Sequence, residues 1–186
     1  FPSGLVSSIY YDTWDWKYLN EKINGYFLKT KVRLRWYSDL EYKQHDEITT
    51  LEVKYRIGGR REKIRIDSAM TGAEAAAKPL ESMDFVAALN LLRKKGIIIN
   101  DKLFPVFQVT FLRRRYIDPY SGSVICYDSG IHVPGTNRMM IPFQGIGALG
   151  TSVVELKGAL TRLPSSLYPL ADMGIKKSPF SKYHAC

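Results

Sequence analysis

The chain has 186 residues, with 27 lysines and arginines against 18 aspartates and glutamates, and a formal net charge of +9. This length suits one domain with a real hydrophobic core, and the charge favours an anionic partner: phosphate, nucleotide, nucleic acid or acidic lipid. The sequence has no apolar run of membrane-spanning length, no recognisable signal peptide and only two cysteines. We expect a single domain over residues 1–186 in the cytoplasm, with further residues ahead of its methionine-free start.

The predicted elements, in chain order, are mostly strands. LVSSIYYDT predicts a strand, WDWKYLNEKING a short helix, and KTKVRLRWYS a second strand. SDLEYKQHDEIT predicts a polar hairpin loop, which is followed by strands TTLEVKYRIG and RREKIRID around a Gly58-Gly59 turn. SMDFVAALNLLRKKG predicts a helix capped by Ser82. PVFQVTFLRRRYID and SGSVICYDSGI predict a hairpin, TSVVELKGAL a last strand, and residues 164–173 a short helix. The fold class is therefore α+β, with an antiparallel sheet large enough to curl or close.

Cationic and apolar side chains alternate along five of these strands. In KTKVRLRWY, Lys31, Arg33 and Arg35 share one face, because successive side chains of a strand point to opposite sides. The alternation recurs in four further rows, which are Glu52, Lys54 and Arg56; Arg61, Lys63 and Arg65; Arg113 and Arg115; and Glu155 and Lys157.

Two structures explain this pattern. An open sheet would place the charged face in water, whereas a barrel would enclose it as a lumen. The strong bias toward arginine and lysine favours a lumen that binds a chain of phosphates. The isolated acids Glu52 and Glu155 suggest a divalent metal ion that bridges phosphate oxygens.

The ordered segments SIYYDT, YLNEKING, KVRLRWY, LEVKYR, FPVFQVTFLRRRY, VVELK and FSKY resemble the vacuolar transporter chaperone (VTC) catalytic domain and its bacterial relatives, the polyphosphate polymerase domains. The resemblance implies the triphosphate tunnel metalloenzyme fold, an antiparallel eight-stranded β-barrel with a basic tunnel and a few peripheral helices. It also implies transfer of the terminal phosphate of ATP onto polyphosphate, with Mn²⁺ (or Mg²⁺) as the metal ion.

Matching the motifs position by position implies the roles of individual residues. The resemblance predicts a catalytic set of phosphate-neutralising side chains, namely Arg33, Arg35, Lys54, Arg113 and Lys182. It predicts Glu155 as the metal ligand, to which the strand pattern adds Glu52. We further expect phosphate contacts from Lys22, Lys31, Arg65, Arg115, Lys157 and Ser181, with Lys31 at the mouth of the tunnel.

The sequence departs from the family pattern in two places. The acid/base strand that precedes the SIYYDT segment in the family is absent from this chain, and we expect it in the residues upstream. Val124 stands where the family has an arginine four residues before Asp128, and Arg114 or Arg115 is the candidate to replace its charge.

Three functions follow as alternatives. The first is polyphosphate synthesis from ATP; the second is hydrolysis of triphosphate or tripolyphosphate; the third is a binding module that senses polyphosphate or nucleotide without turnover. ATP and inorganic polyphosphate are the expected partners. Nucleic acid is not expected, because a lumen does not offer the open groove that backbone tracking needs. A membrane-protein partner, through which the chain would associate with a membrane, is a further possible partner.

Overall fold

The computed structural model describes residues 3–38, 47–142, 147–158, 163–175 and 177–186. Most of the polar loop predicted after the second strand, including His45, lies outside these ranges, as do residues 159 and 160 of the last predicted strand. No helix in the described ranges is both long enough and apolar enough to cross a bilayer.

Seven strands form one sheet in which every neighbouring pair is antiparallel. The strands are β1 (Ser3–Asp12), β2 (Leu28–Ser38), β3 (Ile48–Ile57), β4 (Arg60–Thr71), β5 (Phe104–Ile117), β6 (Val124–Thr136) and β7 (Val153–Lys157). Their spatial order is β4-β3-β2-β1-β5-β6-β7, so β4 and β7 are the edges of the sheet. The sheet curls into a half-barrel, which confirms the α+β class and the tunnel-like architecture; the described ranges contain seven of the eight expected strands.

In the part of the chain that the structure describes, six short α-helices accompany the sheet. They are α1 (Lys17–Ile23), α2 (Gly72–Ala77), α3 (Met83–Ala88), α4 (Asn90–Lys94), α5 (Tyr168–Asp172) and α6 (Lys182–Ala185). The helix predicted from Ser82 onward begins as expected, since the Ser82 hydroxyl accepts a hydrogen bond from the Asp84 amide, but it is divided in two at Leu89. Helix α2 was not predicted, although Thr71 and Glu74 form a reciprocal capping box at its start.

The outer face of β2, β3 and β4 packs under the helices. Val32, Leu34 and Trp36 of β2 are buried together with residues of β3, and Phe85 of α3 and Leu92 of α4 cover them. Burying each such side chain contributes about 1.5–3 kcal/mol to folding. The apolar half of KTKVRLRWY therefore faces the main core, which turns its basic half to the inner face of the sheet.

A second apolar cluster lies on the inner face at the centre of the sheet. Tyr10 of β1 and Phe107 of β5 stand side by side with ring centroids 5.7 Å apart. Tyr183 of α6 covers both rings, stacking on Phe107 at 5.4 Å and tilting against Tyr10 at 5.0 Å. The inner face is thus not uniformly basic, because its central strands are apolar and carry the C-terminal helix.

Candidate functional site

Strand register brings the charged rows of β2, β3 and β4 together on the inner face. Arg33 pairs with Glu52, and Glu52 pairs with Arg65. One step toward the start of β2, Lys31 pairs with Lys54, and Lys54 with Lys63. Directly paired residues of antiparallel strands lie about 5 Å apart at their Cβ atoms, so these side chains form one continuous patch.

Glu52 is the acidic centre of this patch and is almost completely buried. Its Oε2 accepts from Nε of Arg33 at 2.6 Å and lies 2.5 Å from Nη2 of the same residue. Its Oε1 lies 2.5 Å from Nζ of Lys63 and 3.1 Å from Nε of Arg65. Burial opposes ionisation of Glu52, but Arg33 and Lys63 outweigh it and hold the pKa of this carboxyl far below its usual range.

Three further cations of the patch have no such acid. Among the described residues, no carboxylate lies within ion-pair distance of Lys31, Arg35 or Lys54. Arg35 is buried, and its Nε donates to the Ser8 hydroxyl at 2.9 Å. Burying a charge is costly unless an opposite charge compensates it. The inner face therefore carries three cations whose charge no described carboxylate balances at ion-pair distance.

The pKa values of three cations in this patch are lowered, mainly by burial and secondly by the neighbouring positive charges. Burial, with the neighbouring charges of Arg33 and Lys63, lowers the pKa of Lys54 to about 7. Burial is also the main cause that lowers the pKa values of Lys31 and Arg35. A bound polyanion would reverse these shifts by supplying the missing negative charge.

Tyr10 places a phenol group among these cations. Burial of the ring raises the pKa of Tyr10, but Arg33 and Lys31 outweigh burial and bring it below its ordinary value. Nζ of Lys31 also lies over the Tyr10 ring, 5.8 Å from its centroid. Tyr10 was not predicted as a site residue, because β1 carries no charged row; its only sequence signal is the alternation of Val6, Ser8 and Tyr10.

A second charged cluster lies on the inner face of β5, β6 and β7. Arg113 donates to buried Asp128 through two parallel hydrogen bonds, from Nε to Oδ1 at 2.6 Å and from Nη2 to Oδ2 at 2.7 Å. Lys182 of α6 donates to Oδ2 of the same carboxylate at 2.6 Å. Burial disfavours the charged form of Asp128, but Arg113 and Lys182 lower its pKa overall. With Arg33, which is paired with Glu52, three of the five predicted catalytic cations are therefore paired with a protein acid.

The C-terminal helix connects the two charged clusters. Nζ of Lys31 donates to the buried Ser181 hydroxyl at 3.0 Å, so Lys31 lies beside the residue that precedes α6, and its place at the tunnel mouth stays a prediction. Tyr183 donates its hydroxyl hydrogen to buried Asp12, which also accepts from the backbone amides of Thr13, Tyr18 and Leu19. The Ser-Lys pair of FSKY thereby contacts both sides of the inner face.

The two predicted metal ligands differ in their availability. Glu155 lies on edge strand β7, where its Oε2 accepts from Nη2 of Arg113 at 3.2 Å while half of its side chain remains exposed. Both oxygens of Glu52 are instead taken up by cations, so the structure does not support Glu52 as a metal ligand. The described ranges contain no group of three or more His, Cys, Asp or Glu side chains. This donor set fits an ion held mainly by phosphate and water with one carboxylate, as Mg²⁺ commonly is.

Of the remaining predicted phosphate contacts, Arg115 and Lys157 lie on the inner face of β5 and β7, whereas Lys22 lies on α1. Val124, at the place of the family arginine, pairs with Lys157 on β7, and the next inner-face position pairs Cys126 with Arg115 and Glu155. Arg115 and Lys157 thus bring positive charge beside Val124, whereas Arg114 points to the other face. Lys22 belongs to the last turn of α1 and is not part of the strand rows.

Lys63 was not predicted as a site residue, although it contacts Glu52 at the centre of the patch. The alternation of Arg61, Lys63 and Arg65 in the sequence indicated that Lys63 lies on the basic face. Only the register between β3 and β4 shows that Lys63 can contact Glu52.

Of the comparisons with known proteins, the family model agrees with the sequence resemblance. The model of the VTC domain family matches residues 3–186. A search of curated proteins finds no match. Among solved structures, the chain is similar to a candidate adenylate cyclase of Bacillus halodurans, with 16% identity, a TM-score of 0.49, and coverage of 97% of this chain and 80% of that one. At that level the similarity carries no argument about the reaction.

Proposed function

This chain belongs to the VTC domain family, and from that premise we propose that it is a metal-dependent phosphotransferase that binds ATP and polyphosphate on its basic inner face and extends polyphosphate. The observation that carries the proposal is the set of inner-face cations that have no acid within ion-pair distance among the described residues: Lys31, Arg35 and Lys54. Their missing counter-charge is what a chain of phosphates supplies, and Arg33 and Arg65 border the same patch.

In the proposed reaction the protein contributes position and charge. The bond between the γ-phosphorus of ATP and the oxygen bridging to the β-phosphate breaks, and that phosphorus bonds to the terminal oxygen of polyphosphate, while ADP leaves. Arg33, Arg35 and Lys54 neutralise the phosphate oxygens and hold the two chains end to end. No nucleophilic side chain is required, because the acceptor is itself a phosphate.

Glu155 is the residue proposed to hold Mn²⁺ or Mg²⁺, because its carboxylate is exposed and engaged mainly at one oxygen. When bound, such an ion neutralises charge on phosphate oxygens. Arg113, Lys157 and Arg115 surround this carboxylate and would contact the outer phosphates of the bound chain. Arg113 and Lys182 serve the site mainly by fixing Asp128 and the C-terminal helix beside it.

A binding module without turnover is the second candidate function. It is favoured by the lack, within the described ranges, of a group of three or more His, Cys, Asp or Glu side chains that could hold a metal ion, and by Val124 in place of the family arginine. Such a protein would hold polyphosphate or nucleotide on the same cations without supporting in-line transfer. Both candidates predict anion binding, so only an assay of turnover separates them.

The test incubates the full chain with ATP and Mn²⁺ and measures long-chain polyphosphate, ADP and released phosphate together. Polymer formed with ADP supports the phosphotransferase; phosphate without polymer indicates hydrolysis; tight binding with neither product indicates the module. Glu155→Gln should abolish turnover, whereas the matched variant Glu62→Gln, on an exposed position of β4, should not. Full activity in Glu155→Gln would refute the metal assignment.

A further inference from the structure

One end of the sheet carries exposed apolar side chains beside a group of cations. It is formed by residues 23–29, which lead from α1 into β2, and residues 56–61, which form the β3–β4 turn. We call these two segments the tip. Strands β2 and β3 continue to Leu28 and Ile57, past the last pair that β2 makes with β1, between Tyr11 and Val32. The tip therefore projects beyond the central part of the sheet.

The apolar part of the tip is a continuous patch. Leu28 pairs with Ile57, and the Phe27 carbonyl accepts from the Gly58 amide at 2.9 Å. The Phe27 ring lies directly over Gly58, so close that a Cβ added there would be 2.6 Å from the ring. Phe27 nevertheless remains 72% exposed, and Ile23, Tyr26, Leu28 and Ile57 are also about half exposed or more. Monomeric soluble proteins seldom expose a contiguous apolar patch unless it makes contacts.

The cations of the tip adjoin this patch. Lys29 pairs with Arg56, and Arg56 pairs with Arg61, while Arg60 pairs with Ile57. Lys22, in the last turn of α1, directly precedes Ile23, the first apolar residue of the tip. The exposed acid of this region is Glu62, since Glu21 is buried and accepts a hydrogen bond from the Thr30 amide. The tip thus contains four cations, Lys29, Arg56, Arg60 and Arg61, and no carboxylate, while Lys22 and the exposed acid Glu62 directly adjoin it.

We propose that the tip binds the surface of an anionic phospholipid bilayer. Aromatic and aliphatic side chains at a projecting end insert at the level of the headgroups, and neighbouring lysines and arginines attract anionic lipids. Phe27, Tyr26 and Leu28 supply the inserting side chains, and Arg56 and Arg60 supply charge beside them. A projecting end offers little concave surface to a folded protein partner, whereas it matches a flat, negatively charged plane.

The orientation of the bound protein follows from the strand faces. Lys29, Arg56 and Arg61 lie on the inner face and extend the rows of Lys31, Lys54 and Lys63. Leu28 and Ile57 continue the outer face. A protein seated on the tip therefore turns one end of its basic inner face toward the lipid headgroups. This association uses a surface outside the proposed catalytic patch and does not depend on turnover.

The test is co-sedimentation of the full chain with vesicles of phosphatidylcholine alone and with vesicles of equal parts phosphatidylserine and phosphatidylcholine. We expect binding to the anionic vesicles only. Tyr26→Ser with Phe27→Ser should reduce the bound fraction at least tenfold, and Arg56→Gln with Arg60→Gln should reduce the partition coefficient roughly fivefold for each charge removed. Phe27→Trp should show quenching of its fluorescence by lipids that carry a quencher near the headgroup.

The matched control is Ile98→Ser with Tyr120→Ser, which removes two equally exposed apolar side chains outside the tip and should leave binding unchanged. Circular dichroism melts establish that each variant is folded. If the Tyr26→Ser, Phe27→Ser variant fails to fold, the Arg56→Gln, Arg60→Gln variant and the quenching measurement still test whether the tip binds the bilayer. The proposal is overturned by absent binding, by equal binding to neutral vesicles, by equal loss in the control, or by self-association through the tip in light scattering without vesicles.

Discussion

The two charged regions of the inner face differ in how their positive charge is balanced. In the cluster around Asp128, Arg113 and Lys182 meet a buried carboxylate at 2.6 Å each, and the network joins β5, β6 and the C-terminal helix. In the patch on β2 and β3, Lys31, Arg35 and Lys54 have no acid among the described residues. In the first region, cations bonded to a buried acid link three elements of the structure. In the second, three cations without a described acid lie beside Arg33, which is paired with Glu52.

The largest effect should come from breaking the paired region. Asp128→Asn removes the charge between Arg113 and Lys182 while keeping the shape of the side chain. We expect a loss of about 3–5 kcal/mol in the free energy of unfolding, because two buried cations lose their counter-charge. Urea denaturation measures this loss.

The control for that variant is Glu155→Gln, which alters a half-exposed acid near the same arginine and should cost less than about 1 kcal/mol. If Asp128→Asn and Glu155→Gln are equally mild, the Asp128 cluster is not structural.

The unpaired region should respond to pH through Lys54. Because the pKa of Lys54 is about 7 in the free protein, Lys54 must take up a proton when the protein binds tripolyphosphate above neutral pH. We expect affinity to fall up to about tenfold per pH unit above pH 7, while the bound form keeps Lys54 charged. Calorimetric titrations between pH 6 and 9 measure this dependence.

Lys54→Met is the matched variant, since it removes the titrating group and leaves the ionisation of the ligand unchanged. Stability should change in the opposite sense to affinity: the unfolded chain binds this proton up to about pH 10.4 and the folded chain only to about pH 7. Wild type should therefore gain stability relative to Lys54→Met as the pH rises through this window. Parallel pH profiles for the two proteins would refute the assignment of Lys54.

The smallest expected effect concerns the helix between the two regions. Tyr183→Phe removes the hydroxyl that donates to Asp12 but keeps the ring against Tyr10 and Phe107. Asp12 retains its three backbone donors, so we expect a loss of only about 1 kcal/mol. Urea denaturation checks this value, and the exposed Tyr120→Phe should show no change. A loss as large as that of Asp128→Asn would mean that the helix, and not the ion pairs, organises the inner face.

The sequence was sufficient to predict the two faces of the strands. The period-two alternation in KTKVRLRWY correctly placed Val32, Leu34 and Trp36 in the core and Arg33 and Arg35 on the opposite face. It could not show that Arg33 meets Glu52. These two residues are 19 positions apart in the sequence, and their contact depends on the register between β2 and β3.

The apolar centre of the inner face was missed for a similar reason. Val6, Ser8 and Tyr10 alternate like the basic rows but carry no charge, and the ring that covers them, Tyr183, comes from the opposite end of the chain. Contacts between residues so far apart leave no local pattern. The break of the predicted helix at Leu89 was also missed, since the apolar spacing of SMDFVAALNLLRKKG continues across it.

The most direct test of the difference between paired and unpaired cations is a calorimetric titration of wild type and Arg35→Gln with tripolyphosphate, combined with a thermal melt of each protein. Arg35 is buried, bonded to Ser8 and without an acid among the described residues. The assignment of Arg35 as an anion-binding residue predicts that Arg35→Gln loses about ten- to a hundredfold in affinity, the value of a charged hydrogen bond or two, while its melting temperature is unchanged or higher. Unchanged affinity, or a fall in melting temperature like that of Asp128→Asn, would contradict it.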